Sequence, residues 1–117
     1  MRLRELIDLL GCETVGGQEE VDGLEIRACF AADLMSDVLA YSRPGALLIT
    51  GLTSIQSAHT ADVADLAAIL FVADKRPAAQ ILELARDKRI PLLTTKLSMF
   101  DTCGLLYRAG LRAEHRS

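Results

Sequence analysis

The sequence has no tryptophan, and three phenylalanines with two tyrosines bring aromatics to only 4% of its 117 residues. A core must therefore come from Leu, Ile, Val and Ala, and the stacking platforms on which single-stranded nucleic acids lie are missing. Positive charge is not in excess either: 13 Lys and Arg stand against 16 Asp and Glu, for a formal net charge of -3. The small basic clusters (Arg2 with Arg4, Lys75 with Arg76, Arg86-Asp87-Lys88-Arg89) each lie beside acids, so no basic stripe exists to track phosphates. Nucleic-acid binding is disfavoured. The cysteines are few and odd in number: Cys12, Cys29 and Cys103 form no C-x-x-C pair. Neither a disulfide framework nor a zinc site is expected, and the thiols read as reduced and buried. No apolar run reaches the roughly 18 residues that a membrane helix needs. Met1-Arg2-Leu3-Arg4-Glu5 leads straight into an amphipathic pattern rather than a signal peptide. The expectation is a cytoplasmic chain without membrane contact.

What is present is the make-up of one globular domain, half hydrophobic and one quarter charged. Leu3, Leu6, Ile7, Leu9 and Leu10 recur at helical spacing, and Gly11 is a stop. Cys12 to Gly23 reads as a short strand plus a loop. Leu24 to Ala31 reads as a strand, followed by a helix that Asp33 can cap and that Arg43-Pro44-Gly45 breaks. Ala46 to Thr50 is a continuous apolar run, the mark of a strand buried on both faces. Thr53-Ser54-Ile55-Gln56 has capping-box form and predicts a helix through Leu66. The unit then recurs: strand Ala68 to Val72, a loop with Pro77 suited to a first helical turn, a helix through Ile81 to Ala85, strand Ile90 to Thr94, and a helix from Ser98 to Gly110. Leu111 to Ser117 reads as a tail. Strand and helix alternate four times, which predicts a three-layer α/β/α fold with a mainly parallel sheet of four to five strands in a single domain over 1–117.

The glycines do not spell a phosphate loop. Gly11 and Gly16 have P-loop spacing, but Gly17-Gln18 stands where Lys and Ser/Thr are needed, and no G-x-G-x-x-G occurs. His59 and Asp62 lie three apart on one predicted helix, yet no G-x-S-x-G elbow supplies a nucleophile. His115 lies in the tail. Asp33 and Asp37 also share a helix face, where capping and the helix dipole explain them as simply as acid–base chemistry does. No metal site or cofactor is expected. The strongest cluster is spatial, because ligands of open α/β sheets bind beyond the C-terminal strand ends. Those ends carry Asp33, Thr50-Gly51-Leu52-Thr53-Ser54, Asp74-Lys75-Arg76 and Thr94-Thr95-Lys96. Hydroxyls, free amides and cations together suit a nucleotide-like anion. Asp33, Thr50, Gly51, Thr53, Thr95 and Lys96 are the candidate ligand-binding residues.

The stretches Ala31-Ala32-Asp33-Leu34-Met35-Ser36-Asp37-Val38-Leu39-Ala40 and Leu48-Ile49-Thr50-Gly51-Leu52-Thr53 resemble DRTGG domains. So do Ile90-Pro91-Leu92-Leu93-Thr94-Thr95 and Ser98-Met99-Phe100-Asp101 with Gly104-Leu105-Leu106-Tyr107. The resemblance covers the chain from its first helix to Gly110, and the family is similar to the N-terminal domain of HPr kinase/phosphorylase. It implies a three-layer α/β/α fold and a stand-alone, non-catalytic regulatory role, since DRTGG segments accompany phosphotransacetylases and CBS-domain pyrophosphatases as added domains. It also implies a partner in a redox or signalling system. Asp33, Thr50 and Gly51 match characteristic positions of the family, and Arg27 and Arg43 are both candidates for an arginine partner.

Three readings of different classes follow. The first is a regulatory or protein-interaction module that self-associates. The second is a sensor binding a nucleotide-like anion at the strand ends. The third is a small enzyme using His59 or the Asp33/Asp37 pair. For the first, a homodimer is expected, held by helix faces rather than disulfides. Met35, Leu39 and Tyr41 on one helix, and Met99, Leu105 and Tyr107 on the last, spread beyond one narrow apolar stripe.

Overall fold

A computed structural model describes residues 1–114, and His115 lies outside the described residues. Helix α1 (Leu3–Leu10) comes first, then strand β1 (Glu13–Gly16) and a 3₁₀ helix (Gln18–Gly23). Four strand–helix units follow: β2 (Cys29–Ala31) with α2 (Met35–Tyr41), β3 (Leu47–Thr50) with α3 (Ile55–Val63), β4 (Ala68–Phe71) with α4 (Ala79–Lys88), and β5 (Leu92–Thr94) with α5 (Met99–Arg108). The strands form one sheet in the order β1-β5-β4-β3-β2. β2 to β5 are parallel neighbours, and β1 closes one edge by pairing antiparallel with β5.

The continuous apolar runs account for this arrangement. Every residue of β3, β4 and β5 is buried, which requires cover on both faces. The pleat sends Leu47, Ile49, Leu70 and Leu93 to one face, where they pack with Leu3, Leu6, Ile7 and Leu10 of α1 and Leu106 of α5. It sends Leu48, Ile69, Phe71 and Leu92 to the other, against Met35 and Val38 of α2, Ala58 and Ala61 of α3, and Ile81 and Ala85 of α4. The result is a three-layer α/β/α domain with two helices on one face and three on the other. Among the described residues, no helix is long and apolar enough to cross a membrane.

Local signals fared unevenly. Gly11 ends α1 in the left-handed conformation, and the Ser98 hydroxyl caps α5 by accepting the Asp101 N–H at 3.1 Å. The strand expected over Leu24 to Ala31 shrinks to its last three residues. Its first half is spent clamping the chain start, with Leu3 N–H donating to the Leu24 carbonyl and Ile26 N–H to that of Met1. Asp33 does not cap α2: Leu34 occupies that position without a side-chain bond. The Thr53–Gln56 box does not form, because Ser54 precedes α3, and the helix stops at Val63 rather than Leu66. Pro77 lies just outside α4, ahead of Ala78. Leu111 is no tail residue. It is buried in the α1/α5 layer, and the Arg112 carbonyl accepts the Cys29 N–H at 2.9 Å.

Candidate functional site

Parallel strands bring Ala31, Thr50, Phe71 and Thr94 to a common edge, and the chain just beyond them forms the candidate site. Thr50, Phe71 and Thr94 are neighbours in register and so project from the same face, the one covered by α2, α3 and α4. The Asp33 carboxylate reaches across from the end of β2. Its Oδ1 accepts the Gly51 N–H at 2.7 Å and the Thr50 hydroxyl at 3.0 Å. The same hydroxyl accepts the Leu52 N–H at 3.1 Å, folding the β3–α3 connection into a side-chain-supported turn. This is why Asp33 is unavailable as a helix cap. Lys75 arrives from the β4–α4 connection. A β-carbon placed on Gly51 would lie 3.0 Å from Lys75 Nζ and 3.6 Å from Asp33 Oδ1, so a cation and an anion converge over this glycine.

The position of Lys75 depends on a strained turn. Ala73 and Asp74 both adopt φ of 57°, a left-handed pair that neither residue favours. Hydrogen bonds hold it: Ala73 N–H to the Leu97 carbonyl and Asp74 N–H to that of Thr95, both at 2.8 Å, and the Thr94 hydroxyl to the Lys75 carbonyl at 2.8 Å. These bonds cross from β4 to β5, where α4 and α5 depart to opposite faces. In open sheets such a parting of connections is where a ligand crevice forms. Here it is laced together by main-chain bonds.

The six residues expected at the site separate. Asp33, Thr50 and Gly51 are bonded to one another. Thr53 is half-buried next to them, its carbonyl accepting the Ala78 N–H at 3.5 Å. Lys96 is exposed beyond β5. Thr95 turns to the other face, where its buried hydroxyl donates to the Leu10 carbonyl of α1 at 2.9 Å. Sequence reasoning left Lys75 and Thr94 out of this set. The alternation of side chains along β5 could have separated Thr94 from Thr95, whereas nothing local signals the left-handed turn that aims Lys75. The other basic residue of that loop, Arg76, is paired with Glu13 at 2.9 Å and Asp74 at 3.3 Å. His59 is exposed, and Asp62 pairs with Lys88 at 3.5 Å. Asp37 is exposed in the first turn of α2, while Asp33 is engaged at the strand ends.

A second feature lies at β2, the last strand of the sheet, whose outer edge donates the Cys29 N–H to the Arg112 carbonyl. Cys29 and Cys103 line a pocket of about 210 Å³ with Ile49, Leu106 and Leu111. Burial, with the neighbouring Cys103 thiol as a smaller cause, pushes the Cys29 thiol up to about 12, and burial raises Cys103 as well. The α1 layer pushes Cys12 up to about 12 by the same desolvation. All three are therefore poor nucleophiles near neutral pH. Apolar side chains are also exposed on the outer helix faces. On α5, Phe100 is 85% and Tyr107 62% exposed, with the Arg112 guanidinium 3.6 Å above the Tyr107 ring. On α2, Leu39 and Tyr41 are 52% and 69% exposed, while Met35 is core. Met99 and Leu105 are half-buried against the α1 layer, so Phe100 replaces them as the apolar residue that α5 presents.

A DRTGG domain family model matches residues 5–109. Among solved structures, the chain is similar to the CBS and DRTGG domains of the regulatory region of Clostridium perfringens pyrophosphatase, solved with the activator diadenosine tetraphosphate. The TM-score is 0.70 at 16% identity, over 89% of this chain and 45% of that one. The chain thus spans under half the length of that structure, and the likeness is one of fold. No curated protein matches.

Proposed function

We propose that this chain, which belongs to the DRTGG domain family, is a regulatory module that acts by contact with another protein chain rather than by bond-making chemistry of its own. One observation carries this reading: large apolar side chains stand exposed on α2 and α5, helices that cover opposite faces of the sheet. A lone exposed Leu is unremarkable, but exposed aromatic rings grouped on one helix, as Phe100 and Tyr107 are on α5, mark an interaction surface. The regulatory setting of the pyrophosphatase domains of similar fold agrees with it. The simplest partner is a second copy, since closed two-fold dimers are the commonest assembly. A protein partner in a redox or signalling system would use the same exposed side chains. Three free, half-buried thiols suit a cytoplasmic setting. Light scattering at micromolar concentration tests self-association. Twice the chain mass is expected, and a mass of one chain across the concentration range overturns it.

The second reading, a sensor of a nucleotide-like anion, draws on the strand ends and on the nucleotide activator of the similar pyrophosphatase region. Asp33, Gly51, Thr53, Lys75 and Lys96 would line such a site, with the buried Thr50 bracing Asp33 from beneath, Lys75 meeting the anion and the Gly51 backbone allowing its approach. The φ of Gly51 is not in the left-handed region, and the nearest obstacle to a β-carbon is the mobile end of Lys75. Gly51→Val is therefore expected to fold normally, while any affinity for diadenosine tetraphosphate in a thermal-shift or calorimetric titration falls by about tenfold or more. Binding by the parent chain that the variant leaves unchanged places the ligand elsewhere.

A further inference from the structure

We propose that α5 is the self-association face, and that two copies pair through it antiparallel about a two-fold axis beside Gly104. The inference rests on the self-association reading above and names its surface.

The argument starts from a glycine without an internal purpose. Gly104 lies in the middle of α5, where glycine is the least favourable residue after proline. Its φ is not positive, and a β-carbon there would meet nothing within 4 Å. Neither the backbone nor the packing of this chain uses the missing side chain. A close approach from outside does use it. The outward residues around it are Phe100, Asp101, Tyr107 and Arg108. Two shallow hollows, of about 550 and 410 Å³, flank α5 and meet at Gly104. The helix surface therefore dips at Gly104 between two projecting aromatic rings.

Charge selects the occupant. Asp101 stands one turn before Gly104 and Arg108 one turn after it, and among the described residues neither is in an ion pair. An antiparallel copy centred on Gly104 sets each Asp101 opposite Arg108 of the second copy and each Phe100 beside that same guanidinium. Every contact is made twice, as an isologous interface requires. The helix dipoles also oppose favourably. A parallel arrangement would set acid against acid and base against base. The surface is thus complementary to itself in one orientation.

The test is light scattering over a dilution series of the full chain, with thermal unfolding as a check of the fold. The parent protein should associate. Gly104→Arg fills the dip and should raise the half-association concentration by about tenfold or more. Gly104→Ala should fold at least as stably as the parent and yet associate more weakly, which excludes misfolding as the cause. Arg108→Asp should weaken association, and adding Asp101→Arg to it should restore much of the loss. A parent that associates while Gly104→Arg associates equally well overturns the α5 interface and leaves self-association standing. A charge exchange that fails to rescue overturns the antiparallel arrangement. A monomeric parent overturns both the interface and the reading beneath it.

Discussion

Replacing Phe71 with alanine is expected to lower the unfolding free energy by about 3–5 kcal/mol. Phe71 is fully buried and heads the largest side chains of the core. Among the described residues it is also the only aromatic buried so deeply: Phe30 is half-buried and Phe100 is exposed. The other buried side chains of its layer carry no ring, with the small Ala58 and Ala61 among them, and close packing holds each in its own place, so a ring-sized gap is filled only in part. The loss has a functional side. In register, Phe71 separates Thr50 from Thr94, whose hydroxyls hold Asp33 and the Lys75 carbonyl. A cavity there loosens the floor of the strand-end site as well as the core. Urea unfolding measures the change, and Phe100→Ala, removing a ring that is 85% exposed, should cost under about 0.5 kcal/mol in dilute monomer. A Phe71→Ala loss below about 1.5 kcal/mol would mean that the surrounding layer collapses freely into the gap.

The architecture was legible because burial on two faces leaves a plain mark. The runs at 46–50, 68–72 and 90–94 contain too few polar residues to be anything but central strands, and the amphipathic stretches between them have one buried face each. Cap residues were less legible, because a Ser, Thr or Asp before a helix has other partners available once the chain is folded. Asp33 illustrates this: two donors at the end of β3, distant in sequence, outcompete the adjacent helix amides. The arrangement at the strand ends was legible in part for a related reason. Strand ends locate Thr50 and Gly51, but which of Thr94 and Thr95 joins them depends on register, and the reach of Lys75 depends on a left-handed Ala73-Asp74 turn held by bonds from β5. The apolar surface was read from the correct helices. Its members differ because Met35, Met99 and Leu105 lie on faces turned toward the sheet, whereas Phe100, in the first turn of α5, lies on the outer side.

The glycines near the start of the chain separate a phosphate loop from structural turns, and Gly17→Ala gives the largest backbone effect expected of them, about 2–5 kcal/mol. Gly17 has a φ of 71°, and a β-carbon on it would lie 2.7 Å from the Pro91 α-carbon. The first feature costs about 1–2 kcal/mol for any residue with a β-carbon. The second adds about 1–3 kcal/mol, because the obstacle is backbone next to the buried start of β5 and cannot swing aside. Gly11 provides the control. It has a similar φ of 62° at the end of α1, but a β-carbon there would touch nothing within 4 Å. Gly11→Ala should therefore cost only the conformational part, about 1–2 kcal/mol. A β-carbon on Gly16 in β1 would meet Leu82 and Leu92 at ordinary contact distance, and Gln18 opens a six-residue 3₁₀ helix while its amide donates to the Thr14 carbonyl at 3.2 Å. The P-loop-like spacing of Gly11 and Gly16 thus has a structural origin in a helix end and an edge strand, and Gly17 adds a turn pressed onto β5. Chemical denaturation of the two alanine variants decides the matter. If Gly11→Ala matches or exceeds Gly17→Ala, the close approach to Pro91 is not what holds β1 at the sheet edge.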